Sequence, residues 1–238
     1  MAHRLLQANI NHCRAAQDLL VQSMAEWLID VAVVAEPYFV PPTGNWVGDQ
    51  DGLVAIASSR TLRVPPLTVI KRGRGYVAVR WRDYVLIGVY FSPNKILADF
   101  EEFLGGLETL IGQIQTRHVL VLGDLNAKST AWGSPKTDAR GVVLEEWATT
   151  TGLLVLNQGS VNTCVRQRGG VLSWMSLSHP PLWQTLSGAE MFWRGWKHFR
   201  IIFTSGSTCP PRQNTRTVVA QESRHRDGCW GALTRRFW

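Results

Sequence analysis

Cysteine is scarce in this chain and is not arranged for chemistry. Four cysteines in 238 residues, Cys13, Cys164, Cys209 and Cys229, lie far apart with no CxxC pair. That pattern excludes a zinc ribbon and a disulfide framework, and it fits a reducing intracellular compartment. No apolar run reaches the roughly 18–20 residues of a membrane span, and the N-terminus lacks the pattern of a signal peptide, so no membrane role is expected. Charge is also sparse, at 18% of residues against 45% hydrophobic. The balance suits an ordinary globular protein whose length allows one large, well-filled domain.

The net charge of +7 would suggest a nucleic-acid footprint if it were spread evenly. It is not. Residues 1–170 carry 16 Lys and Arg against 15 Asp and Glu, whereas residues 171–238 carry 9 against 3. The same last 68 residues hold six of the eleven tryptophans, at 174, 183, 193, 196, 230 and 238. So sharp a break divides the chain into a domain over 1–170 and an aberrant, basic, Trp-rich tail over 171–238. The tail follows neither helical nor strand period and is expected to be poorly ordered.

Within the first part, residues 4–10 read as a short strand and 15–28 as an amphipathic helix, with apolar side chains at 19, 20, 24, 27 and 28. Residues 30–35 form a buried strand stopped by Pro37. Runs 52–57, 75–81 and 84–91 are β-type, and Arg82-Asp83 makes a tight hairpin connection between the last two. A long helix over 95–116 leads into a strand ending at Gly123, followed by a helix over 142–151 and a strand over 153–156. Helices alternating with strands and hairpins predict an α/β (α+β) sandwich rather than a doubly wound sheet.

Several strands end in polar groups. The richest end is Gly123-Asp-Leu-Asn126, where a carboxylate and an amide two residues apart in extended chain point to one side. Such a pair can polarise a water and hold it or a phosphate. Asn9, Glu36 and Tyr90 stand at other strand ends. Carboxylate and amide oxygens suit a hard cation such as Mg²⁺, which takes only one or two protein ligands. A phenol can hydrogen-bond a phosphate oxygen as charge develops. Taken singly, Asn9 reads as a turn residue, Glu36 as a strand terminator and Tyr90 as a half-buried aromatic.

Together these segments form a recognisable series. Gln7-Ala-Asn9-Ile-Asn11, Glu36-Pro37-Tyr38, Tyr90-Phe-Ser-Pro93 and Gly123-Asp-Leu-Asn-Ala127 resemble consecutive blocks of the endonuclease/exonuclease/phosphatase superfamily. Asn126 through Gly133, Asp138-Ala-Arg-Gly141 and Asn157 through Thr163 resemble the apurinic-type endonuclease domain of non-LTR (LINE-type) retrotransposons. The resemblance covers residues 4 to about 170. It implies a four-layer α/β sandwich and Mg²⁺-dependent (or Mn²⁺-dependent) nicking of DNA. It also implies fusion to a reverse transcriptase primed by the nick, and work in the nucleus. Carried over, Asn9 and Glu36 become metal-side residues, and Tyr90 contacts phosphate. Asp124 and Asn126 handle the nucleophile and leaving phosphate, while Asn94, Ser129 and Asn162 face the substrate.

Two blocks of that pattern are absent: a Val-Asp-Leu-Thr strand, whose Asp orients the catalytic His, and a terminal Ser-Asp-His. After Gly170, Asp227 is the only aspartate, and His179, His198 and His225 have the wrong neighbours. Tryptophan and methionine each have one codon, so Trp174-Met175 is encoded TGGATG. Joining each codon's last base to the next two bases gives GAT, an aspartate. The same register from Trp196 to Ile202 forces Glu and then permits Thr, Leu, Ser, Asp and His in succession. Both blocks therefore reappear, in order, in one alternative frame.

The expectation is a reading frame changed near Gly169–Val171, with the C-terminal part of the fold missing or disrupted. An inner strand of the second sheet should be lost, an uncovered edge should lower stability, and activity should be lost with the catalytic His and Asp. Two other readings compete. One is a phosphatase or exonuclease of the same superfamily. The other is a non-catalytic nucleic-acid binder that grips single strands with the basic, Trp-rich tail.

Overall fold

A computed structural model of the chain describes residues 3–156 other than 62, 63 and 117. It also describes the backbone of 164–165, 171–172, 175–178 and 199–204. Two parallel strand pairs set the geometry of the site. β1 (Arg4–Asn9) crosses through α1 (Arg14–Glu26) to β2 (Val31–Ala35), with Asn9 level with Ala35. β7 (Tyr84–Tyr90) crosses through α2 (Leu97–Gly112) to β8 (Val119–Asp124), with Tyr90 level with Asp124.

The first sheet adds β3 (Trp46–Gly48) and β4 (Val54–Ser58), in the order β13-β1-β2-β4-β3, where β13 is Phe199–Thr204. The second adds β5 (Thr68–Arg72), β6 (Tyr76–Trp81), β9 (Leu154–Val155) and β12 (Met175–Ser178), in the order β5-β6-β7-β8-β12-β9. A separate pair joins β10 (Cys164–Val165) to β11 (Val171–Leu172).

Period-2 side-chain alternation sorts each strand between two cores. In β8, Leu120 and Leu122 face Val33, Ile56 and Leu86 between the sheets. Val119 and Val121 join Phe100, Leu104, Leu107 and Trp147 of α2 and α3 (Ala139–Thr150) on the outer face. In β2, Val31 and Val33 face inward, while Ala32 and Val34 pack on Leu20 and Met24 of α1. The layers are therefore helix, sheet, sheet, helices, as expected for the α/β sandwich.

Most expected elements appear with shifted ends. α1 stops at Glu26 because Leu28 turns left-handed (φ 54°), and α3 starts three residues early because Asp138 caps it, accepting from Gly141 N at 2.8 Å. The β6–β7 hairpin turns at Arg82-Asp83, with Arg82 at φ 54°. β3 and β5 were not legible: β3 has three residues, and every residue of β5 is exposed at a sheet edge, so neither carries an alternating pattern.

One expectation needs correction. The loss of an inner strand from the second sheet does not occur at the backbone level. β12 lies between β8 and β9, antiparallel to both, and β13 pairs antiparallel with β1. Alternating Met-Ser-Leu-Ser and the run Phe-Arg-Ile-Ile-Phe-Thr keep enough strand character to fill those positions. The reading of 171–238 as a poorly ordered tail otherwise lies outside the described residues. Among the described residues, no helix is long and apolar enough to cross a membrane.

Candidate active site

The carboxyl ends of the two parallel pairs deliver Asn9, Glu36, Tyr90 and Asp124 to one mouth. Asn9 Nδ2 donates to Asp124 Oδ2 at 3.0 Å, which ties the first sheet to the second. A buried bond one layer below repeats the link, as Gln7 Nε2 donates to Gly123 O at 2.7 Å. Tyr90 Oη donates to Glu36 Oε1 at 2.7 Å, a third cross-sheet link. The four residues singled out from separate strand ends thus form two hydrogen-bonded pairs.

Gly123 explains why Asp124 reaches this position. Its φ is +152°, and a Cβ there would lie 1.8 Å from Val89 O, so only glycine lets β8 run this close to β7. Asp124 is 3% exposed, and its Oδ1 accepts from Asn126 N at 3.1 Å. Both carboxylate oxygens therefore have fixed N–H partners. Asn126 sits at φ 49° and donates Nδ2 to Phe91 O at 3.0 Å. Glu36 has the same left-handed φ of 49°. Such strain at non-glycine residues costs on the order of 1 kcal/mol each and is typical of functional turns.

Burial, the hydrogen bond to Glu36 and the charges of Glu36 and Asp124 hold the Tyr90 hydroxyl well above the ordinary tyrosine range. It is a neutral phenol whose single proton goes to Glu36. The geometry makes it an orienter of that carboxylate as much as a phosphate contact. His12 Nε2 lies 3.8 Å from the same Glu36 oxygen, while His12 Nδ1 is 3.0 Å from Pro37 O.

The donor set fits a hard cation. Among the described residues Glu36 Oε1 takes the contacts to Tyr90 and His12, so Oε2 could hold a cation, and Asn9 Oδ1 accepts only Asn11 N, at 2.9 Å. No cluster of three or more His, Cys, Asp or Glu side chains suited to a metal occurs among the described residues. One or two protein oxygens suffice for Mg²⁺, so Glu36 with Asn9 nearby could hold it, while no zinc-type site is built among the described residues.

The substrate-facing assignments fare unevenly. Asn94 is exposed on the loop after β7, with its backbone N–H donating to Ser92 Oγ at 3.4 Å. Ser129 does not reach the surface: it is 0% exposed, accepts from Ala131 N at 2.9 Å and donates its hydroxyl to Glu145. It caps the 3-10 turn Thr130–Trp132, because a small hydroxyl there satisfies an otherwise orphaned amide. Asn162 lies outside the described residues.

Arg140 was visible only as part of a pattern, and the structure gives it a task. Its guanidinium donates to Ser92 O (3.2 Å), Pro93 O (3.3 Å), Asn126 O (3.5 Å) and Lys95 O, and it stacks over Phe91 (5.1 Å) and Phe100 (5.5 Å). It clamps the loop carrying Asn94 to the turn carrying Asn126. Gly141 beside it is required too, since a Cβ would lie 1.8 Å from Lys128 O. The spacing Asp-Ala-Arg-Gly is therefore cap, helix start, clamp and close approach.

Comparison with known proteins agrees with this architecture. Residues 84–181 match the family described as endonuclease-reverse transcriptase. The structure resembles the endonuclease domain of TRAS1, a telomere-specific non-LTR retrotransposon, with 26% identity and a TM-score of 0.70 over 86% of this chain and 98% of that one. It shares its fold with a 3'-5' exonuclease from Neisseria meningitidis (17% identity, TM-score 0.59, 84% and 98% covered). The same holds for an AP endonuclease from Archaeoglobus fulgidus (15%, TM-score 0.58, 77% and 89% covered). No curated protein matches the sequence. The chain has the fold of the endonuclease/exonuclease/phosphatase superfamily. In sequence and structure its likeness is to a retrotransposon endonuclease domain.

Proposed function

We propose that this chain descends from a metal-dependent DNA endonuclease whose nick primes reverse transcription in a parent element. We further propose that the present chain has lost that activity through a change of reading frame near Gly169–Val171. The observation that carries the first part is the convergence of Asn9, Glu36, Tyr90 and Asp124 at one mouth, in a fold like that of the TRAS1 domain. Mg²⁺ or Mn²⁺ held by Glu36, with Asn9 beside it, would neutralise charge on a phosphate oxygen. Asp124 accepts a proton from the attacking water, and Asn126 steadies the water or phosphate. Tyr90 fixes Glu36. DNA is the substrate, and the nucleus is the expected site of work for the parent element.

The second part rests on what stands beside this half-site. β12 begins with Met175 opposite Gly123, and β13 begins with Phe199 opposite Ala8. Both strand starts therefore adjoin the mouth, and neither strand contains an acid or a histidine in the present frame, His198 being the residue before β13. The alternative register writes Asp at the Trp174/Met175 junction and permits Ser-Asp-His across Phe199 to Ile202. The Asp then falls at the start of β12, and the Ser-Asp-His triplet falls within the first part of β13. The family match runs past the inferred break to residue 181 and so takes in β12.

Removing members of a catalytic unit costs several orders of magnitude in rate. The purified chain should leave supercoiled plasmid intact in Mg²⁺, at the level of its Asp124→Ala variant. The same gene with one base inserted at codon 170 should nick it, and Asp124→Ala in that background should abolish nicking. Robust nicking by the present chain overturns the loss, and no nicking by the frame-restored chain overturns the endonuclease reading.

A further inference from the structure

We propose that Tyr38 and Phe39 form a fixed stacking platform that receives an unpaired nucleobase beside the phosphate held at the Glu36 mouth. This rests on the nuclease reading above. Tyr38 and Phe39 are 54% and 56% exposed, although most large apolar side chains of the domain are buried. They follow Glu36 by two and three residues, which places Tyr38 Cα at most about 7 Å from Glu36 Cα.

The backbone beneath them is pinned on both sides. Gln17 grips Phe39 from both directions, accepting from its N–H at 3.1 Å and donating to its C=O at 2.8 Å. Gln17 is only 8% exposed, so this clamp is part of the α1 packing rather than a surface contact. At the other end, His12 N donates to Glu36 O at 2.8 Å, and His12 Nδ1 meets Pro37 O at 3.0 Å. Pro37 itself is buried and has a fixed φ. The fold therefore spends a buried glutamine and a proline on holding a loop whose two aromatic rings face water.

Size decides the occupant. Half of two aromatic side chains is on the order of 200 Å². That falls well short of the roughly 800 Å² per partner of a stable protein interface. It matches the face of a base or two. Aromatic rings with two torsions on a held backbone lose little entropy on stacking, and any base offers a π-face. A paired base inside a duplex does not offer its face, so the platform favours a flipped or unpaired nucleotide next to the bond to be cut.

The test measures binding by the full chain in EDTA, so that cleavage plays no part. One probe is a duplex with a single unpaired fluorescent adenine analogue, and the other is a fully paired duplex of equal length. The chain should quench the unpaired analogue. Phe39→Ala and Tyr38→Ala should each weaken binding to that probe by roughly tenfold while leaving the paired duplex unchanged. Phe39→Trp should restore quenching. If both alanine variants bind and quench like the unaltered chain, the platform is wrong while the nucleic-acid reading stands. If the unaltered chain binds neither probe, both fall.

Discussion

Substituting alanine for Gly123 should unfold or grossly weaken the domain, and the size of the effect follows from the contact geometry. The new Cβ would lie 1.8 Å from Val89 O, 2.7 Å from Val89 C and 2.9 Å from Val89 Cγ2, so backbone and not a movable side chain is struck. Val89 and Gly123 are register partners in the parallel β7–β8 pair. Relief requires parting those strands locally. That breaks one or two ladder bonds worth about 1 kcal/mol each and leaves buried groups unpaired at about 1–3 kcal/mol each. Adding the cost of a positive φ for a non-glycine residue, about 1–2 kcal/mol, gives a loss of roughly 4 kcal/mol or more. Gly52→Ala is the control, since Gly52 has φ +72° but nothing within 4 Å of an added Cβ. It isolates the conformational cost. Urea unfolding followed by tryptophan fluorescence should separate the two by about 3 kcal/mol. Equal losses would refute the claim that close approach at Gly123 positions Asp124.

Gly141→Ala should cost a similar amount through Lys128 O, measured in the same way. Tyr90 should ionise only beyond the ordinary tyrosine range in an alkaline absorbance titration, and Tyr90→Phe should remove that late step. Because its folded pKa is raised, Tyr90 adds stability that is full below the unfolded value near 10 and is lost as pH rises above it. At neutral pH, Tyr90→Phe should cost about 1–3 kcal/mol, the worth of a hydrogen bond to a charged group. Arg140→Ala should speed amide hydrogen exchange across 92–95 and at Asn126, and Arg140→Lys should restore little, because a single ammonium cannot reach four carbonyls.

The site was more legible than its supports. Asn9, Glu36, Tyr90 and Asp124 could be singled out as candidates because polar groups at the ends of apolar runs stand out, Asp124 after Gly123 and Glu36 before Pro37. Their pairing across two sheets could not, since Asn9 and Asp124 are 115 residues apart and nothing local joins them. Gln7 shows the same limit: a polar residue inside an apolar strand gives no hint that it donates to Gly123 O in the core. Arg140 and Gly141 read as a pattern without chemistry, because their partners are backbone carbonyls, which every sequence has. Ser129 misled for the converse reason. A hydroxyl near a site looks available until burial and a cap assign it. The edge strand β5 escaped notice because full exposure removes the hydrophobic alternation on which strand reading depends.

The central claim is that half of this site survives in the sequence and the other half is written in another frame. The nucleotide sequence encoding Lys197 to Ile201 tests it most directly. The account predicts AAA for Lys197, CAC for His198, TTT for Phe199, CGG for Arg200 and ATC for Ile201, which in the alternative register spell Thr-Leu-Ser-Asp-His. An AGA or AGG codon at Arg200 would give Gln or a stop in place of serine and would contradict it.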